Sequence, residues 1–169
     1  RTAGFNALDI GALTHESWAL HYFLMFIGGG SAGTAGGVKV GTVAILALLV
    51  IAEIRGRADT EAFGRRVGSS AQRQAITVLV LGSATVVLGT LVILRDTDIP
   101  TDQVIFEVIS AFGTVGLSTG ITADLPETSQ LMLTLLMYVG RVGTITLAAS
   151  LALGEHRMPY RYPEEHPIV

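Results

Sequence analysis

The sequence contains no cysteine and little charge. The missing cysteines exclude a disulfide framework, a thiolate metal site and a cysteine nucleophile. Only 15% of the 169 residues are charged, and the net charge of −3 comes without a basic stripe, so nucleic acid is not an expected partner. Half of the residues are apolar, more than a soluble fold of this length can hide from water. These features together predict a membrane protein.

Two stretches of the sequence are long enough to cross a bilayer as helices. Residues 75–94 carry no charge and would extend roughly 30 Å as a helix, the thickness of a hydrocarbon core. Residues 129–153 carry one charge, Arg141, and can span with some tilt. The sequence starts at Arg1, and its first residues form neither a basic leader nor a small-residue cleavage site. We therefore expect no signal peptide, and we expect the chain to be the C-terminal part of a longer protein.

A third apolar stretch is interrupted near its middle. Residues 17–27 and 38–52 are each too short to span, and the segment between them is rich in glycine. Glycine, serine and threonine disfavour a helix by roughly 0.5–1 kcal/mol each relative to alanine, which predicts a movable loop halfway through the membrane. We interpret this loop as a gate; the alternative is close helix packing through the Gly33 and Gly37 pair. The predicted gate residues are Gly28, Gly29, Gly30, Ser31, Gly33, Thr34, Gly36 and Gly37.

The segment between the two complete spans must leave the membrane and return on the same side. Thr101 and Asp102 form a candidate N-cap, and residues 104–112 are apolar but too short to cross, which fits a re-entrant half-helix. Residues 113–120 are polar and rich in glycine. Backbone of this kind is tolerated at membrane depth only where protein covers it or where it lines a water-filled path.

A short pattern, Thr-x-Gly-apolar, occurs twice and precedes a loop and a membrane helix each time. Glycine permits backbone angles at which successive carbonyl oxygens point to one axis and replace the hydration shell of a cation. The alternative is a pair of ordinary turns. The pattern predicts an all-α membrane protein built from repeats of transmembrane helix, re-entrant pore helix, filter loop and transmembrane helix. The predicted K⁺ ligands are the backbone carbonyls of Thr2, Ala3, Gly4, Phe5, Thr114, Val115, Gly116 and Leu117.

Two positive charges lie close to these loops in the sequence. Arg141 falls near the bilayer centre, where an arginine costs at least about 2.5 kcal/mol, so it should face the ion path or a polar partner. Facing the path, it would repel cations below the filter and hold the gate; alternatively it pairs with a buried carboxylate such as Glu107. Lys39 is interpreted as lining the inner vestibule or snorkelling, not as a catalytic amine.

The charges between the apolar segments predict the orientation of the chain. Residues 53–74 are rich in arginine and residues 95–102 in aspartate, which places the first link in the cytoplasm and the second outside. The predicted units are residues 1–54 (third-repeat filter loop and broken helix), 55–74 (cytoplasmic linker), 75–153 (fourth repeat) and 154–169 (cytoplasmic tail).

Sequence motifs of enzymes are a poor fit. Gly28-x-Gly30-x-x-Gly33 with Glu53 matches a dinucleotide fingerprint, but residues 38–52 lack the turn and second strand that the motif requires. No Gly-Lys-Ser/Thr phosphate loop, histidine pair at metal-ligand spacing or Ser/His/Asp set is present in the sequence. We expect no enzyme and no cofactor.

The sequence resembles the Trk/Ktr/HKT superfamily of cation transporters along nearly its whole length. RTAGFNALD is similar to the third filter loop of that superfamily, MFIGGGSAGTAGGVKV to its intramembrane gating loop, FEVISAFGTVGLSTGIT to its fourth pore helix and filter, and MYVGRVGTITL to its last helix. The resemblance implies that Gly4 and Gly116 are filter glycines, that residues 28–37 form the gate and that Arg141 lies under the filter.

The same resemblance implies an assembly in the cell membrane. It implies a multi-pass subunit with two further repeats upstream, a homodimer, and a cytosolic RCK-type nucleotide-binding ring that controls uptake of K⁺ or Na⁺. The chain lacks the first two repeats, so it is not expected to conduct alone. Two alternatives stay open: a secondary transporter whose substrate site is the broken helix, and a membrane scaffold without transport.

Overall fold

The computed structural model describes residues 3–30, 33, 35–57, 59–62 and 64–153, with side chains up to residue 143. Thr2, Ser31, Thr34 and the predicted tail 154–169 lie outside the described residues. The described elements are α1 (His15–Phe26), α2 (Val40–Ile54), β1 (Glu61–Ala62), β2 (Arg65–Arg66), α3 (Ser69–Asp96), α4 (Thr101–Gly113) and α5 (Glu127–Leu153), with 3-10 turns at Ile10–Ala12 and Ile121–Asp124.

Helix α3 is the most extended apolar element of the described chain. It has 28 residues, begins six residues before the predicted span and extends roughly 42 Å. It is the one helix in the described ranges that is long and apolar enough to cross a membrane. Most of its apolar stretch is not covered by the rest of the chain, so these side chains are available to lipid or to other parts of the protein. The exposed ones include Val80, Leu81, Val87, Leu88 and Leu91.

Helix α5 runs unbroken over 27 residues, as predicted for the last helix. Helix α2, at 15 residues, reaches only about 22 Å and is too short to span by itself. The described chain is therefore mostly helical, in agreement with the predicted class. The only strands among the described residues form a small antiparallel hairpin inside the predicted linker, where Glu61 is paired with Arg66 and Ala62 with Arg65.

The short helix α4 is the centre of the packing. It contacts α1, α3 and α5, and its side chains Val104, Phe106 and Val108 are fully buried. On the α1 side, Phe106 packs against Trp18 and Met25; on the other side the cluster includes Ile93 of α3. Burying each large side chain contributes about 1.5–3 kcal/mol, so α4 is fixed in place by contacts on all sides.

The start of α4 differs from the prediction. Pro100, not Thr101 or Asp102, is the N-cap, and no side chain caps the helix. Proline fixes φ near the helical value and has no N–H to satisfy, so the helix begins directly after it. Asp102 instead lies in the first turn, where its carboxylate accepts the Gln103 N–H at 2.9 Å and lies 3.0 Å from His15 Nδ1. A negative charge there is also favoured by the helix dipole.

Candidate functional site: two glycine loops and an interrupted helix

The interruption between α1 and α2 is a loop whose two ends meet. None of the described residues from Ile27 to Lys39 is helical. Val38 lies beside Ile27 in a parallel bridge, its N–H donates to Phe26 O at 3.1 Å, and Gly28 N–H donates to Val38 O at 2.6 Å. The described residues are therefore non-helical where the sequence predicts a break, and Gly33 and Gly37 do not lie on a helix that could pack through them.

Glycine is required where the two ends of this loop approach each other. A methyl group on Gly28 would overlap the carbonyl oxygen of Gly36. Gly37 has φ +71°, a region that side chains disfavour, and a methyl there would lie 3.0 Å from Phe26 O. The close approach explains why the sequence concentrates glycine at the ends of the segment.

The returning end of the loop is bonded to the C-terminal half of the chain. Gly36 N–H donates to the side-chain hydroxyl of Thr114 at 2.9 Å, and Gly37 N–H donates to Gly140 O at 3.3 Å. The predicted gate therefore contacts Thr114, a predicted filter residue, and Gly140, the residue before Arg141. The side chain of Thr114 was not singled out by the sequence.

Lys39 folds back onto the loop that precedes it. Its ammonium donates to Gly33 O at 3.1 Å and to Ala35 O. The side chain therefore ties the loop to the start of α2, where Lys39 is the N-cap, and does not extend outward as a snorkelling lysine would. Its charge also lies within electrostatic range of Arg141.

The two predicted filter loops lie against each other. A methyl on Gly4 would be 3.2 Å from Val115 O, and a methyl on Gly116 would be 3.2 Å from Gly4 Cα. Both glycines have positive φ, +71° and +88°, a conformation that costs other residues free energy. Two segments far apart in the sequence thus bring their glycines into backbone contact.

The loop at residues 114–117, predicted as part of the fourth filter loop, is anchored to the end of α4. Thr114 ends the helix in a left-handed conformation with φ 51°, and Val115 N–H donates to Ser110 O at 2.9 Å. The Ser110 hydroxyl donates to Leu117 O at 2.5 Å. That carbonyl, counted among the predicted ion ligands, is thus engaged with α4. The Val115 and Leu117 side chains are buried against the cluster around Phe106.

Arg141 is exposed near the middle of α5 and lines a cleft of about 490 Å³. Thr114, Gly116 and Glu107 also line this cleft. The alternative that Arg141 pairs with Glu107 is wrong. Within the part of the chain that the structure describes, close contacts between basic and acidic side chains join only His15 to Asp102 and Arg66 to Asp59. Glu107 instead accepts hydrogen bonds from Ser118 and Thr119. The concentration of hydroxyl residues in this segment is the sequence signal that could have identified these partners.

Helix α3 is long and apolar enough to cross a membrane, and the glycine turns at Gly4 and Gly116 meet beside the buried helix α4, which is the arrangement of a membrane protein. Comparison with known proteins also indicates a membrane protein. Residues 1–156 match the TrkH family model, described as a cation transport protein. The chain therefore belongs to the TrkH family, and the predicted resemblance to the Trk/Ktr superfamily is confirmed.

Several curated relatives match nearly the whole chain. It is 40% identical to the potassium/sodium uptake protein NtpJ of Enterococcus hirae, over 98% of this chain and 38% of the relative. It is 38% identical to the Ktr system potassium uptake protein B of Bacillus subtilis, over 97% and 37%. The Vibrio alginolyticus protein of the same name is 34% identical, over 98% and 36%. The chain thus spans less than two fifths of the length of these relatives.

Proposed function

We propose that this chain forms half of a K⁺-conducting pore in the cell membrane, with Na⁺ as the other candidate ion. The observation that carries the proposal is the backbone contact between Gly4 and Gly116. Carbonyl oxygens from two glycine turns that meet at one axis can replace the water around a monovalent cation. The printed names of the relatives, potassium and potassium/sodium uptake proteins, support the same ion class.

In this proposal the ion ligands are the carbonyls of residues 2–5 and 114–116. The Leu117 carbonyl is assigned to loop anchoring because it already accepts the Ser110 hydroxyl. Two loops supply half of a fourfold ring, so the other half comes from repeats upstream of this chain. The remaining proposed features are a multi-pass subunit in a homodimer, controlled by a cytosolic RCK-type nucleotide-binding ring.

The gate is assigned to residues 28–37, with Lys39 and Arg141 as the charges beside it. The loop contacts Thr114, the first residue of the fourth filter loop, through Gly36. A loop in that position obstructs the path on one side of the filter. The two cationic side chains raise the local electrostatic barrier to a permeating cation, and the effect is strongest where water is scarce.

Net ion uptake by the full-length protein tests this function. Expressed in cells without their own K⁺ uptake system, it is expected to restore growth at low K⁺ and to accumulate K⁺ or Na⁺. Ion contents of the cells are measured against cells carrying the empty vector. Saturable uptake of an organic solute without cation accumulation would instead support a transporter with its substrate site at the broken helix.

Removing the loop is expected to open the path. Gly28 and Val38 are hydrogen-bonded neighbours, so deleting residues 30–37 in the full-length protein lets the ends rejoin with little displacement. We expect K⁺ uptake to rise, by about tenfold if the loop contributes ~1.4 kcal/mol to the barrier. The measurement is initial K⁺ uptake per amount of protein in the membrane.

Substitution of Lys39 provides a point variant to compare with the deletion. Lys39→Gln removes the ammonium that holds the Gly33 and Ala35 carbonyls and is expected to raise uptake by a smaller factor, while Lys39→Arg keeps the charge and stays close to the parent. Unchanged uptake in the deletion, at normal protein levels, would show that this loop is not the gate.

A further inference from the structure

Glu107 is a carboxylate buried in the apolar half-helix α4. Only 5% of its surface is exposed, and its neighbours Phe106 and Val108 are fully buried. A buried carboxylate is costly unless hydrogen bonds compensate for the lost hydration. Nothing in the proposed pore uses this side chain as an ion ligand, so its presence needs another explanation.

The two oxygens of Glu107 accept four hydrogen bonds. Oε1 accepts the Ser118 hydroxyl at 2.6 Å, the Thr119 N–H at 2.8 Å and the Thr119 hydroxyl at 3.1 Å. Oε2 accepts the Thr122 hydroxyl at 3.0 Å. All the donors come from the segment that directly follows the fourth filter loop. A carboxylate group has two oxygens with about four lone-pair sites, enough to accept all four of these hydrogen bonds.

Glu107 and Ser110 lie three residues apart, on one face of α4. The Ser110 hydroxyl donates to the Leu117 carbonyl, and the Glu107 carboxylate accepts hydrogen bonds from residues 118–122. The chain that follows the filter loop is therefore bonded to α4 at two neighbouring positions. Gly116 lies just before these anchors, between Val115 and Leu117, and as a glycine it has no side chain that could hold it in place. The position of Gly116 against Gly4 therefore depends on where the chain after it is held.

We infer that Glu107 is a positioning residue for the fourth filter loop. Its carboxylate fixes residues 118–122 on α4, and this fixes the backbone of Gly116 at the distance from Gly4 that the permeating cation requires. The inference rests on the proposed function. It assigns selectivity among cations to a side chain that does not touch the ion, and it gives the charge a structural use within the protein.

Substitution of Glu107 in the full-length protein tests this role. Glu107→Ala removes every acceptor, and we expect the K⁺/Na⁺ uptake ratio to fall by about tenfold or more, since each hydrogen bond to a charged group is strong. Glu107→Gln keeps a carbonyl oxygen in the same place and should stay within about threefold of the parent. Glu127→Ala, at an exposed carboxylate in the first turn of α5, is the control.

A double-mutant cycle separates positioning from charge. Ser118→Ala is expected to lower the K⁺/Na⁺ ratio in the parent and to lower it by a smaller factor once Glu107 is alanine, because the hydrogen bond that the two side chains share is then already lost. If Glu107→Ala fails to reach the membrane, the K⁺/Na⁺ ratio of Ser118→Ala tests the inference by itself. No change in the ratio for Ser118→Ala, or equal loss in Glu107→Gln and Glu107→Ala, would overturn the inference.

The outcomes distinguish this inference from the proposed function. If the unmodified full-length protein takes up neither K⁺ nor Na⁺, the proposed function fails. If it does take up these ions and Glu107→Ala, present at normal levels, keeps the parental K⁺/Na⁺ ratio, only the positioning role fails.

Discussion

Replacing Gly116 with alanine in the full-length protein is expected to abolish selective K⁺ uptake. Gly116 has φ +88°, where a side chain costs about 1–3 kcal/mol. The added methyl would also lie 3.2 Å from Gly4 Cα, closer than ordinary packing allows, so the two filter loops would be forced apart. Carbonyl oxygens that no longer converge cannot replace the hydration shell of the ion. We expect uptake to fall by at least about tenfold, measured as initial K⁺ flux.

Gly120→Ala is the matched control for this experiment. Gly120 also has a positive φ, +97°, but a methyl there would meet nothing within 4 Å. It shares the backbone strain of the Gly116 variant without the collision between loops. We expect K⁺ uptake to be clearly higher in Gly120→Ala than in Gly116→Ala. Full uptake in Gly116→Ala would contradict the assignment of this contact to the pore.

Gly140→Ala is expected to destabilise the whole C-terminal half of the chain. Gly140 is buried, and a methyl on it would overlap the carbonyl oxygen of Phe112 at the end of α4. Helices α4 and α5 would have to separate, and the bond from Gly37 N–H to Gly140 O would be disturbed. Overpacking of this kind costs typically about 1–3 kcal/mol and more where backbone must move. We expect a lower thermal unfolding temperature and loss of K⁺ uptake.

Gly143→Ala, one turn further along α5, provides the comparison. A methyl at Gly143 would lie 3.7 Å from a Val139 side-chain carbon, which is ordinary van der Waals contact. Alanine also favours a helix over glycine by about 1 kcal/mol, so this variant should be as stable as the parent or more stable. Both variants are measured in the same detergent. A Gly140→Ala protein as stable as Gly143→Ala would show that α4 and α5 do not pack this closely.

Most of the helices were predictable from residue type. Residues 75–94 and 129–153 are apolar over a bilayer thickness, and both lie within the helices α3 and α5. The interruption at 28–37 was predictable because glycine, serine and threonine are weak helix formers. The two Thr-x-Gly patterns marked backbone turns, and at Gly4 and Gly116 positive φ is present. These features depend on local propensity, which a single sequence contains.

Side-chain partners were not predictable in the same way. Glu107 was considered as a partner of Arg141 because opposite charges attract, but its oxygens are occupied by the hydroxyls and the N–H of residues 118–122. The sequence predicts that Lys39 lines the inner vestibule or snorkels, but it does not predict the bonds that its ammonium donates to the Gly33 and Ala35 carbonyls. In each case a nearby backbone or hydroxyl group competes with the expected partner, and only distances decide the competition.

Residue types alone therefore establish that the chain is apolar and helical, where it breaks and where glycine must turn it, because these depend on neighbours along the sequence. The contacts of Gly4 with Gly116 and of Gly36 with Thr114 join residues far apart in sequence, and the bonds of Glu107 join α4 to the loop that follows it. They exist because α4 is buried among α1, α3 and α5, and its packing sets the distances at which those groups meet.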